Sequence, residues 1–297
     1  WGIKVPYNNK HVIYVWLDAL INYLSALNFP NTNDKLYKNF WPASLHVIGK
    51  DILRFHAIYW PAFLLAADVE PPTRIFSHGW ILSGEKKMSK SRGNILNPLE
   101  IIKTYGIDEL RYYLMKEVPH GSDGSISLKN LENCINSDLA NNYGNLCQRV
   151  FSFIKNNCGN KVSKRKNISD SDKKLMEQTK KLTKDLRNEM DKQNLNNYIK
   201  SVINISFLTN KYINDEEPWK LKKNNTEKMN NILHIALEQI VKISILLNPI
   251  IPEKSSKVLD ALNINTKLRN LAFLDGKNVI DDEIKIKKLD ILFKKTT

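Results

Sequence analysis

Cysteine is scarce: Cys134, Cys147 and Cys158 are the only three in 297 residues, they stand 13 and 11 positions apart, and no CxxC pair occurs. That excludes a disulfide framework and offers no structural zinc site, so the expected compartment is a reducing one, the cytoplasm. No apolar run approaches the ~20 residues of a membrane span, and the opening WGIKVPYNNK has nothing of a signal peptide. Missing too is the glycine-rich first βα turn with which a dinucleotide-binding sheet begins. The chain opens on Trp1 and runs straight into strand-like sequence, as a piece of a longer polypeptide would.

What is present is enough for about two domains at ~150 residues each. A hydrophobic share of 42% excludes a disordered tail. Lys and Arg number 45 against 31 Asp and Glu, a net charge of +14, which makes an acidic macromolecule a natural partner. The excess is uneven. Residues 1–120 carry 14 basic and 10 acidic side chains, residues 121–297 carry 31 and 21, so a nucleic-acid surface is expected in the second part. Lys, Asn and Ile are all over-used, and drift toward AT-rich codons at exposed positions accounts for part of the charge.

Periodicity divides the chain in the same place. Residues 12–15 (VIYV) read as a strand and 18–27 as the helix after it; LHVIG at 45–49 is a second strand, followed by a strongly apolar helix over 52–67 that Pro61 should kink; 74–78 is a third strand. Strands alternating with helices imply parallel pairing and the second half of a doubly wound, Rossmann-like sheet. From about Pro98 the pattern becomes helical: 98–104, 108–117, a long helix over 129–156, then 171–190, 195–213, 228–247 and 252–262. The stripe Leu139, Tyr143, Leu146, Val150, Phe153 and Ile154 is core spacing. Segment 155–192 has 12 basic and 6 acidic residues and no aromatic, including Lys164-Arg165-Lys166, and reads as a solvated face. The expected order is α/β then all-α: 1–84 the sheet, 85–120 a connecting segment, 121–297 a helical bundle.

The sharpest chemical signal is Lys87-Met88-Ser89-Lys90-Ser91. Two lysines three apart, among small hydroxylated residues on a loop beside an α/β sheet, can close on a triphosphate and neutralise charge developing on pyrophosphate. This string is the KMSKS signature, and with it the chain resembles the class I aminoacyl-tRNA synthetases. VWLDALINY (15–23), IGKDILRFHAIYWPAFL (48–64), SHGWILSGEKKMSKSRGN (77–94), LANNYGNLCQR (139–149) and EPW (217–219) resemble the methionyl-tRNA synthetase family in order and approximate spacing. The resemblance implies a Rossmann-like catalytic sheet, a connecting segment around KMSKS and a helical anticodon-binding domain.

Read as bare residues, Trp16, Ala19, Leu20 and Tyr23 at a helix start, and Ile52, Phe55, His56, Tyr59 and Trp60 on one face of the next helix, are equally ordinary core. A histidine on an apolar face still needs a polar partner. The resemblance implies that Trp16, Ala19, Leu20, Tyr23, Ile52 and His56 line a methionine pocket, where aromatic edges suit a polarisable thioether and Tyr O–H or His N–H can donate weakly to sulfur. It implies further that Gly49 and Asp51 meet the ATP ribose, Ile81 the adenine, and Lys87 and Lys90 the phosphates of ATP with Mg2+. Asn145 and Arg149, one helical turn apart, and Trp219, a stacking plane, are implied to read the anticodon of tRNA(Met).

Two family features are absent. No His-x-Gly-His tetrad occurs, and neither does a zinc-bearing insertion. The expectation is therefore the carboxyl-terminal part of a methionine-activating ligase, a monomer with no structural metal and no membrane contact, incompetent without the half that carries HIGH. A tRNA-binding module standing alone, or a class I synthetase for another amino acid, are the alternatives.

Overall fold

The computed structural model describes residues 2–83, 97–119, 121–274, 280 and 283–296, with the backbone alone of Lys86 and Lys87. By contacts the chain divides into two compact units, residues 1–80 with 120–124, and residues 81–119 with 125–297.

In the first unit the two apolar runs pair as expected. His46–Gly49 lies parallel to Ile75–His78, in register from His46 opposite Ile75 to Gly49 opposite His78. A core of Leu20, Leu24, Trp41, Trp60, Leu64 and Val69 packs beside them. The strand expected over 12–15 is not there. Asn8–Val12, exposed throughout, pairs antiparallel with Lys4–Val5, and the helix Val15–Ser25 begins three residues before Asp18. Leu20 and Leu24 lie one turn apart and are buried. Helical burial of that pair outweighs the β preference of the VIYV run.

The helix expected over 52–67 forms in three pieces: a 3-10 turn Lys50–Ile52, a π turn Phe55–Tyr59, and an α-helix Trp60–Ala66 with Pro61 in its first turn. Pro61 has no N–H to give to Ala57, and its ring would press on that carbonyl. The chain responds by widening, with the Trp60 N–H donating to the Phe55 carbonyl five residues back. The expected kink is thus a π turn.

The second unit is a helical bundle around Thr226–Leu247, whose central residues from Ile232 to Val241 are all buried. This helix is long and apolar enough to cross a membrane by length and composition, and 89% of its apolar window is buried inside the bundle. It escaped the run test because Glu238 and Lys242 interrupt it. Leu195–Glu216 packs along it, and the Tyr198 hydroxyl donates to the Leu246 carbonyl at 2.7 Å. The helices Pro98–Tyr105, Ile107–Glu117 and Pro252–Ala261 fall where expected, while 171–190 breaks into Asp170–Thr183 and Leu186–Asp191. A pairing the periodicity did not foretell joins Lys161–Val162 antiparallel to Ile284–Lys285.

The long helix runs from Leu128 to Asn157, but its middle, Ile135–Gly144, is π-helical. The wider turn lets Leu139, Asn142, Tyr143, Leu146 and Cys147 all face inward. Gly144 makes the turn possible: a Cβ there would stand 2.8 Å from the Leu139 carbonyl oxygen and 3.1 Å from the Phe293 ring. In an ordinary helix Gly→Ala stabilises by about 1 kcal/mol. Here Gly144→Ala is expected to destabilise by roughly 1–3 kcal/mol, the range for overpacking, and a urea midpoint at or above that of the parent would contradict it.

Candidate functional site

The aromatic residues of the first unit converge on His56. Trp16 stacks on Phe55 with ring centroids 4.0 Å apart and planes 9° from parallel, and meets His56 edge-on at 6.3 Å. His56 Nδ1 lies 3.1 Å from the Ile52 carbonyl, to which it can only donate. In the neutral ring Nε2 is then an acceptor, and the Tyr23 hydroxyl, 3.0 Å away, donates to it. The two groups expected to donate to a thioether donate instead to a protein acceptor each. What they offer a ligand is a polarised phenol oxygen and an aromatic wall. Ile52, half-buried, holds His56 by its backbone, and Ala19 is exposed on the same helix as Trp16 and Tyr23. Leu20 is only 2% exposed and belongs to the core.

Sequence reading missed His46. Its ring lies 4.4 Å from that of Tyr23 and 6.3 Å from that of His56, so Tyr23 is packed between two imidazoles. Burial pushes His46 below its ordinary pKa, and His56 nearby pushes the same way, so the ring is neutral. The signal was available: His46 and Ile48 are the inward positions of a strand that alternates, and a polar residue at an inward position marks a site or a paired group.

Gly49 and Asp51 stand at the end of the first parallel strand. The φ of Gly49 is −76°, open to any residue, so what glycine gives here is room beside Asp51 and not backbone freedom. A Cβ on it would come within 2.8 Å of the Asp51 carboxylate. Asp51 is exposed, free to accept from hydroxyls. Between them Lys50, which sequence reading passed over, is bound by both oxygens of Asp123 at 2.5 and 2.6 Å and lies 4.1 Å from the Trp80 ring centroid. Asp123 also accepts the Trp80 N–H at 2.8 Å, and Lys50 holds the Asp123 carboxyl below its ordinary pKa.

Ile81 belongs to the second unit, in a strand Ile81–Ser83 flanked by Lys86–Lys87 and Gly124–Ile126. The KMSKS string therefore runs off a short hairpin in which Lys87 pairs with Leu82, where direct succession to strand 74–78 was expected. The side chain of Lys87 and all of Met88 to Ser91, Lys90 included, lie outside the described residues.

In the bundle, Arg149 donates to Asn214 at 2.7 Å and to Asn210 at 3.4 Å, and Asn210 in turn donates to the carbonyl and side-chain oxygens of Asn142 at 3.2 Å. Asn145, half-buried, sits one turn before Arg149. Trp219 is 43% exposed. The residue before a proline avoids the right-handed helical region, and Glu217, with φ of 44°, takes the left-handed one. That reversal ends one helix and starts Pro218–Leu221 with Pro218 buried and the indole outside. Lys222, three residues on, donates to Asn157 at 2.9 Å. The segment carrying Trp219 is thus tied to the helix of Asn145 and Arg149 on both sides, through Asn214 and through Lys222.

Residues 1–151 match the tRNA synthetases class I (M), and residues 162–297 match the anticodon binding domain of methionyl tRNA ligase. The chain belongs to the class I (M) tRNA synthetases. Among its relatives in this family is a methionine–tRNA ligase of Brucella suis, 43% identical over 272 residues, which cover 92% of this chain and 53% of that protein. One from Rickettsia felis is 44% identical over 294 residues, 96% of this chain and 57% of that protein. A methionyl-tRNA synthetase of Mycobacterium tuberculosis, solved bound by methionyl-adenylate, superposes with a TM-score of 0.92 at 38% identity, over 99% of this chain and 58% of that one. The chain spans about half the length of the relatives it matches. Among the described residues no three His, Cys, Asp or Glu are grouped to hold a metal.

Proposed function

We propose that these residues are part of a cytoplasmic, monomeric methionine–tRNA ligase, which joins methionine to tRNA(Met) with ATP. The observation that carries this reading is the matching of two successive family segments, synthetase then anticodon-binding, along one chain. A methionine carboxylate oxygen attacks the α-phosphorus of ATP and pyrophosphate leaves; a tRNA 3′-terminal hydroxyl then displaces AMP. No protein base is needed for the first step, because the attacking group is already an anion and the protein supplies position and charge.

Trp16, Tyr23, Ile52 and His56 form the wall against which the thioether lies, with Ala19 giving it room and Leu20 backing the wall from the core. Gly49 admits the nucleotide to the strand end and Asp51 accepts from its ribose. The Ile81 backbone meets the adenine. Lys87 and Lys90 neutralise the leaving pyrophosphate, and Mg2+ bound with ATP would share in screening the phosphate charge. Residues 85–120 connect this half to the bundle. The bundle binds the anticodon through Asn145, Arg149 and Trp219, the guanidinium already oriented by Asn210 and Asn214.

The test uses this chain and two tRNAs, one with a CAU anticodon and one with that anticodon changed. Phosphate contacts cannot distinguish them, so any preference comes from base contacts. Trp219→Ala is expected to weaken the CAU tRNA by roughly 1–3 kcal/mol, the worth of one stacked base, and to remove most of the preference. An unchanged ratio of the two affinities would defeat the anticodon assignment.

A further inference from the structure

The helix Leu195–Glu216 shows solvent one continuous stripe. Asn197, Lys200, Asn204, Phe207, Lys211 and Asn214 recur at intervals of three, four, three, four and three, and every one is exposed. The first and last are 17 residues apart, so the stripe is about 26 Å long. It holds two ammonium groups, three amides and one phenyl ring, and no carboxylate. Among the described residues neither Lys200 nor Lys211 forms an ion pair, and Phe207 is 53% exposed with no ring partner. At one end the stripe reaches Asn214, which accepts from Arg149. At the other it borders a groove of about 550 Å3 whose lining includes Lys181, Asn197, Lys200 and Asn204, and also Asp185 and Glu189.

We propose that this stripe is a second RNA-binding surface, continuous with the anticodon residues. Phe207 stacks on a nucleotide flanking the three read bases, and Lys200 and Lys211 bind phosphates of the same strand. The argument is charge complementarity together with continuity. A cationic, amide-rich row with a single exposed ring is the composition of a single-strand binding platform. Asn214 is shared between the row and Arg149, and Phe207 lies two helical turns, about 10 Å, from it, a spacing that a neighbouring nucleotide can span. The proposal rests on the anticodon reading above, but the two fail differently.

Binding of the CAU tRNA and of the changed-anticodon tRNA is measured on this chain across a salt series. Phe207→Ala is expected to weaken both by the same factor, about 5- to 100-fold, leaving their ratio untouched. Phe207→Tyr should restore binding and Phe207→Leu should not, which separates stacking from burial of apolar surface. Lys200→Gln with Lys211→Gln should reduce the slope of log affinity against log salt by about 1.4, at ~0.7 per single-strand phosphate. Full affinity and full slope in these variants, while Trp219→Ala still abolishes the preference, would overturn the stripe and leave the anticodon reading standing. Losses at Phe207 with a Trp219→Ala ratio that does not change would do the reverse.

Discussion

Lys90→Ala in the full-length protein is expected to slow methionyl-adenylate formation by about 10²–10³, some 3–4 kcal/mol of transition-state stabilisation, and to leave methionine affinity nearly as it was. The reason is when the contact strengthens. Before reaction the β- and γ-phosphates already share their charge with counter-ions and water; as the bond to the α-phosphorus breaks, pyrophosphate gains charge, and an ammonium held against it gains most in that moment. Such a group lowers kcat and kcat/KM together, whereas one that binds substrate and transition state alike raises KM alone. Pyrophosphate exchange and equilibrium methionine binding, measured on the same variant, separate the two. Equal losses in both would make the KMSKS string a structural loop.

The KMSKS string was legible in the sequence because it is local, five adjacent residues; what it does rests on the reading proposed above. So was the parallel pair His46–Gly49 with Ile75–His78, since buried parallel strands are continuous apolar runs. What stayed hidden depended on distance or on hydrogen-bond pattern. Lys50 and Asp123 are 73 residues apart, and so are Arg165 and Glu238. Neither pair leaves a mark on periodicity. The π turns were hidden for a second reason. An apolar pattern at three and four reports which side chains face inward, not which carbonyl each N–H reaches, so Ile135–Gly144 reads as plain α-helix until Gly144 is found with the Leu139 carbonyl where a Cβ would go. The pocket residues were named from resemblance, but that Tyr23 and His56 satisfy each other, with His46 behind them, required the fold to bring three elements together.

Arg165 shows what such a misreading implies for experiment. In the sequence it is the middle of a basic triplet on a solvated face; in the bundle its side chain is 13% exposed and its guanidinium donates to Glu238, itself 3% exposed, at 3.0 Å. The neighbouring Lys166 N–H donates to Asn231 at 3.1 Å, so the segment 164–166 is fastened to the central helix Thr226–Leu247. Exposed ion pairs contribute about 0–1 kcal/mol, but removing one partner of a buried pair costs ~3–5 kcal/mol because the other charge stays out of water. Lys242 still attracts Glu238, and His234 lies 3.7 Å from it, which places the expected cost of Arg165→Ala near the low end, about 3 kcal/mol. Replacing both members, Arg165→Met with Glu238→Leu, is expected to recover most of that loss, since the desolvated charges leave together. Urea unfolding of the two variants reads the difference, and a single-variant cost below about 1 kcal/mol would return Arg165 to the surface. Neutralising the whole triplet would then weaken tRNA binding through unfolding, not through lost phosphate contacts. A test of the triplet's charge therefore has to change Lys164 and Lys166 and keep Arg165.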